Sequence, residues 1–198
     1  MSLPRFYPIF DSVAWLERAL PLGVRLVQLR IKDAGVGRLR AEIRAGLALA
    51  RRHGAVLVVN DHWELAIEEG AEWLHLGQGD LDAADLPAIR RAGLRLGVST
   101  HDEAELERAL GVGPDYVALG PVWPTILKEM PWAPQGLARV AAWKRRVGAV
   151  PLCAIGGVTV ERAPQALGAG ADLVAAVTDI TLNPDPEGRM RAWLEVCG

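Results

Sequence analysis

Arg30 and Lys32 stand two residues apart in the segment Gln28-Leu29-Arg30-Ile31-Lys32. If that segment is extended, Gln28, Arg30 and Lys32 share one face, with the two cations about 6–7 Å apart, close to the span of a diphosphate. The opposite face carries Val27, Leu29 and Ile31. The same pattern also suits an amphipathic edge strand with solvated charges. Two carboxylates end similar apolar segments: Asp61 closes Val56-Leu57-Val58-Val59-Asn60-Asp61, and Asp80 closes Trp73-Leu74-His75-Leu76-Gly77-Gln78-Gly79-Asp80. Beside cations, such a pair suits magnesium, which keeps several waters and takes one or two carboxylates plus phosphate oxygens. Asp61 could instead cap a helix with Glu64, and Asp80 could be a turn residue. Ser99 offers a hydroxyl donor near the end of the apolar run Arg95–His101, with His101 two residues on. No acid partner for a catalytic histidine can be named, so His101, His75, His53 and His62 are read as packing or surface residues. Lys128 supplies a third cation, and Gly156-Gly157 and Val177-Thr178 end two further apolar runs where bare backbone amides could seat a phosphate.

These groups need a scaffold that brings distant strand ends to one place. Eight short apolar runs end in polar or glycine-rich clusters, at residues 11, 32, 61, 80, 101, 121, 157 and 179, with helical spacing between them. Strands buried on both faces that alternate with helices form a parallel sheet. Eight units of about twenty residues predict an α/β protein, one (β/α)8 TIM barrel over residues 1–198 with its active site at the strand C-terminal rim. The rival, an open dinucleotide-binding sheet, needs G-x-G-x-x-G after its first strand, and no run is followed by that pattern. Helix starts are expected at Thr100 with Glu103, at Asp61 with Glu64, at Thr159 and at Asp185-Pro186. The interval Gly120 to Gly136, with four prolines, Trp123 and Trp132, reads as a long mobile loop over the barrel mouth. Its tryptophans could cover a heteroaromatic ring or anchor the loop.

Composition narrows the function classes. With a net charge of −2 the chain has no general attraction for nucleic acid or an anionic membrane, so the partners expected are small molecules. Two cysteines without paired metal spacing, no signal-like start and no long apolar stretch fit a cytoplasmic protein. There are three lysines against nineteen arginines, and two of the three, Lys32 and Lys128, fall just after strand ends. A cationic region with carboxylates suits a diphosphate leaving group, and a neutral seat suits a phosphate handle. Together they suggest transfer of a carbon group from a diphosphate ester to a phosphorylated acceptor.

Over nearly its whole length the chain resembles the thiamine phosphate synthase family. The matching elements are Gln28-Leu29-Arg30-Ile31-Lys32, Asn60-Asp61, His75-Leu76-Gly77-Gln78 with Asp80, Gly97-Val98-Ser99-Thr100-His101, Gly120-Pro121 with Thr125 and Lys128, Ile155-Gly156-Gly157, and Val177-Thr178. The resemblance implies a TIM barrel that joins hydroxymethylpyrimidine diphosphate to a thiazole phosphate carboxylate, giving thiamine phosphate, diphosphate and carbon dioxide. It assigns Gln28, Arg30, Lys32, Asn60, Ser99 and Lys128 to the pyrimidine diphosphate, with Leu29 and Ile31 in the same segment. It gives Arg30, Lys32, Ser99 and Lys128 the catalytic charge stabilisation. Asp61 and Asp80 would bind Mg2+, and Thr125, Ile126, Leu127, Gly157, Val177 and Thr178 would hold the thiazole substrate. Leu127 stands where a second threonine is common, which removes one hydrogen bond, and Thr178 replaces a common serine while keeping the hydroxyl. The related thiazole tautomerase shares the barrel but lacks the transfer. Two further rivals are a phosphate-binding isomerase or aldolase and a non-catalytic thiamine-precursor binder.

Overall fold

In the computed structural model, which describes residues 3–125 and 132–198, each apolar run forms a strand. They are β1 (Phe6–Phe10), β2 (Leu26–Leu29), β3 (Val56–Asn60), β4 (Trp73–Leu76), β5 (Arg95–Thr100), β6 (Tyr116–Leu119), β7 (Leu152–Ala154) and β8 (Leu173–Ala176). Every pair is parallel, in the order β1 to β8, and β1 returns to pair with β8 through Tyr7 and Ala175, closing the barrel. Closure leaves no edge strand, so the reading of the Gln28–Lys32 segment as a solvated edge falls away.

The two periodicities of the sequence become two cores. Outward residues such as Val27, Leu29, Leu57, Val59 and Leu74 pack against the helices. Inward residues, among them Tyr7, Leu26, Val58, Trp73, Tyr116 and Leu173, fill the barrel interior. Helix Val36–Arg52 shows the matching pattern: Leu39, Ile43, Leu47 and Ala50 form a buried stripe at helical spacing. Gly46 lies on that stripe, where an added Cβ would come within 3.1 Å of Leu57, so a small residue lets the helix lie close to the sheet.

The strands stop earlier than the apolar runs suggest. After β4 the chain turns at Gly77 into helix Gln78–Ala83, so Asp80 sits in a first helical turn rather than in a strand or loop. After β8 the short helix Thr178–Thr181 begins in the same way. Three of the four expected caps are not formed. Asp102, not Thr100, caps helix Glu103–Gly111 by accepting from the Glu105 amide. Thr100 is fully buried, donates to the Ala118 carbonyl and accepts from Trp143 Nε1. Helix Trp63–Glu68 follows His62 without a side-chain cap, and helix Ala163–Gly168 follows Arg162. Asp185 does cap helix Pro186–Cys197 through the Gly188 amide.

Residues 126–131 of the expected mouth loop, and with them Ile126, Leu127 and Lys128, lie outside the described residues. The segment before them is tied down. Val122 and Trp123 donate to the carbonyls of Ile155 (2.9 Å) and Gly156 (3.0 Å), joining the loops after β6 and β7. Trp132 stacks on His101 at 4.1 Å and Trp123 lies beneath the Arg162 guanidinium at 5.5 Å, so both serve as anchors.

Candidate active site

Period two along β2 sends Gln28 into the barrel, where it is 2% exposed, and sets Arg30 just past the strand end, half-buried, with Lys32 exposed beyond it. Leu29 and Ile31 turn to the helices, so only their backbones face the rim. Next along the rim, Asn60 is the last residue of β3 and is buried. Asp61 follows in the left-handed region, at φ 64°. Aspartate visits that region more readily than most residues, because its short side chain bonds locally. The turn carries the Asp61 carboxylate away from the helix it was expected to cap and toward Lys32, with Nζ to Oδ2 at 2.5 Å.

Asp61 and Asp80 lie close enough to share a hydrogen bond, and their environments split them. For Asp61, burial favours the neutral form, but the Lys32 hydrogen bond and charge outweigh it and hold the carboxyl below its ordinary range. Asp80 is pushed up, first by burial and then by the neighbouring Asp61 charge. The two carboxylates are met here by Lys32 on Asp61 and by the hydrogen bond between them. Among the described residues no group of three acidic, histidine or cysteine side chains could hold a metal. A two-carboxylate set of hard oxygens fits Mg2+, whose remaining positions go to water and phosphate oxygens, and does not fit a fully caged structural metal.

Behind this charged edge lies a polar network that no sequence motif announces. Gln28 Nε2 donates to Tyr7 Oη (2.8 Å), and Tyr7 Oη meets Tyr116 Oη (2.8 Å). Tyr116 Oη meets His75 Nδ1 (2.7 Å), and His75 Nε2 meets Ser99 Oγ (2.7 Å). Burial pushes the His75 imidazole down to about 4, so it is neutral at neutral pH. Ser99 is gripped a second time, because Gln78 Nε2 donates to its carbonyl at 2.7 Å. His101 instead pairs with Glu105 at 2.7 Å beside the helix start, a packing role.

The far side of the rim is lined by small and apolar residues without a charged side chain. Thr125, Gly156, Gly157, Val177 and Thr178 line one pocket, four of the six expected thiazole-site residues among them. Gly157 has φ 64°, and a Cβ there would lie 2.4 Å from the Pro124 carbonyl oxygen. Glycine is therefore required for the loops to meet as well as for a ligand to approach. Two arginines that sequence reasoning missed brace this side. Arg162 Nη1 donates to the Gly157 carbonyl at 2.6 Å. Arg189 binds Asp179 through Nε and Nη2 (2.8 and 2.7 Å) and also holds Glu161, clamping the loops after β7 and β8 to the last helix. Both come from helical regions, where no strand-end pattern points to them.

The family model described as thiamine monophosphate synthase matches residues 6–180. The chain belongs to the thiamine monophosphate synthase family. A thiamine-phosphate synthase of Rhizobium etli is 64% identical over 98% of this chain and 95% of its own length. One of Cronobacter sakazakii is 52% identical over 97% and 91%. Among solved structures, a thiamine phosphate pyrophosphorylase from Pyrococcus furiosus superposes with a TM-score of 0.87 at 25% identity, over 98% of this chain and 95% of that one. Within this family frame, Arg30, Lys32, Asn60, Asp61, Asp80 and Ser99 lie along the β2 to β5 part of one rim, with Gln28 inside the barrel beneath it, and Thr125, Gly157, Val177 and Thr178 along the rest.

Proposed function

We infer that this chain is a thiamine-phosphate synthase, which joins hydroxymethylpyrimidine diphosphate to a thiazole phosphate and releases diphosphate. The observation that carries this reading is one rim with two unlike halves, a charged one with Lys32 beside paired carboxylates and an uncharged pocket around Gly157 and Thr178. We assign Arg30, Lys32, Ser99 and Lys128 to charge stabilisation at the diphosphate, and Gln28 and Asn60 to the orientation of the pyrimidine end. Asp61 and Asp80 would hold Mg2+, which would supply charge neutralisation for the diphosphate. Thr125, Ile126 and Leu127 would face the thiazole, with its phosphate at Gly157, Val177 and Thr178.

The bond to diphosphate breaks first in this scheme, leaving a pyrimidine-methyl cation that the thiazole nitrogen captures. Such chemistry asks the protein for charge stabilisation and positioning rather than a general base. A neutral, fully hydrogen-bonded His75 is consistent with that demand. A thiazole tautomerase would need the uncharged pocket around Gly157 and Thr178 but not the paired carboxylates. The test is formation of thiamine phosphate from the two substrates by the purified protein, with and without Mg2+. Product only with Mg2+ is expected; no product from folded protein in its presence sinks the reading.

A further inference from the structure

Tyr7 and Tyr116 are each 1% exposed and meet at their hydroxyls across the barrel interior. A glycine admits the second ring: a Cβ on Gly97 would lie 2.1 Å from Tyr116 Cζ. Two phenols at the centre of a hydrophobic barrel cost stability unless both protons are used. The proton count fixes how they are used. Gln28 Nε2 can only donate, so Tyr7 Oη accepts from it and its own proton goes to Tyr116 Oη, the other partner within reach. The Tyr116 proton then goes to His75 Nδ1. The neutral imidazole carries its single proton on Nε2 and gives it to Ser99 Oγ. The opposite direction would leave the Tyr7 proton buried without an acceptor.

From this we propose that Tyr7, Tyr116 and His75 are positioning residues, a one-way hydrogen-bond wire that donates to Ser99 Oγ and leaves its hydroxyl proton for the substrate. Ser99 is thereby a committed donor before substrate arrives, and a fixed dipole costs no reorganisation as charge develops on the departing group. Gln78 completes the arrangement by holding the Ser99 backbone from the carbonyl side. The wire spans the chain, linking β1, β2, β4, β5 and β6 to one hydroxyl.

This inference rests on the assignment of Ser99 to the pyrimidine diphosphate, and two measurements separate the failures. Nitrogen-15 NMR of the ligand-free protein should show His75 protonated on Nε2 and bare on Nδ1; protonation on Nδ1 overturns the wire whatever the enzyme does. Kinetics supply the second. Tyr116→Phe should lower kcat/KM for the pyrimidine diphosphate by roughly five- to tenfold, the size of one misdirected hydrogen bond. In a Ser99→Ala background the same change should cost less than about twofold, because the wire then has nothing to aim. Losses that multiply assign the tyrosine a purely structural role and overturn the proposal. If Tyr116→Phe does not fold, Tyr7→Phe takes its place in the same cycle. A parent protein that makes no thiamine phosphate refutes the function assigned to the site and leaves the NMR result to judge the wire.

Discussion

From β2 to β5 every candidate ligand group is a side chain, with Arg30, Lys32 and Asp61 just past strand ends, Asp80 in a first helical turn and Ser99 near the end of β5, whereas from β6 to β8 the pocket is lined by small and apolar residues without charge around Gly156, Gly157 and Val177. The first region carries full charges close together, and Lys32, half exposed, can move toward a ligand. The second is held by braces behind it: Arg162 on the Gly157 carbonyl and Arg189 across Asp179 and Glu161. A diphosphate with its metal brings several negative charges and needs compensating ones. A monoester phosphate that serves only as a handle needs fixed geometry and little charge. Substitution should therefore hurt the first region through lost charge and the second through lost shape.

The largest effect is expected on the charged side. Asp61→Asn keeps size and hydrogen bonding but removes a charge from the proposed metal pair, and should lower turnover by roughly a hundredfold or more. Near-normal turnover at saturating Mg2+ would remove Asp61 from that pair. On the uncharged side, Gly157→Ala forces a side chain into a left-handed conformation and against Pro124. It should raise KM for the thiazole phosphate by roughly tenfold while leaving KM for the pyrimidine diphosphate within about twofold, and should lower the melting temperature. Equal changes in both KM values would erase the division between the two regions. Arg189→Ala acts one step further out and should raise the thiazole phosphate KM by roughly three- to fivefold. Arg189→Lys should not restore it, because an ammonium cannot reproduce the paired contacts to both Asp179 and Glu161. Rescue by lysine would mean that charge, and not shape, governs this side.

The barrel was legible because parallel strands covered on both faces read as plain apolar runs, and β2 was legible because its one polar face can only point inward once the sheet closes. Local rules failed where a side chain found a distant partner. Thr100 with Glu103 has the form of a cap, yet the Thr100 hydroxyl is committed to Ala118 and to Trp143 on another helix. Asp61 with Glu64 has the same form, and the left-handed turn diverts it to Lys32. The interior wire was invisible because its links join residues 41 and 109 positions apart. Gly97, a glycine inside an apolar strand, was the one sequence sign that a large neighbour comes close.

The smallest expected effect tests whether the charged side is built for a ligand at the expense of the empty protein. Asp80 is held above its ordinary range by burial and by Asp61, so ionising it costs more in the folded than in the unfolded state. A carboxylate whose folded pKa is raised subtracts stability as pH climbs through its unfolded value toward the folded one, and the loss is complete above both. Asp80→Asn removes the repulsion but keeps an oxygen near Asp61. In metal-free buffer at pH 7 it should raise the melting temperature by roughly 1–3 °C, with the gain vanishing below about pH 4, where the parent carboxyl is also neutral. Saturating Mg2+ should reverse the order, stabilising the parent more than the variant, because only the parent keeps both carboxylates for the ion. A variant that melts below the parent at pH 7 without metal would show that the pair is not strained, and the contrast between a charge-built and a shape-built half of the rim would lose its energetic basis.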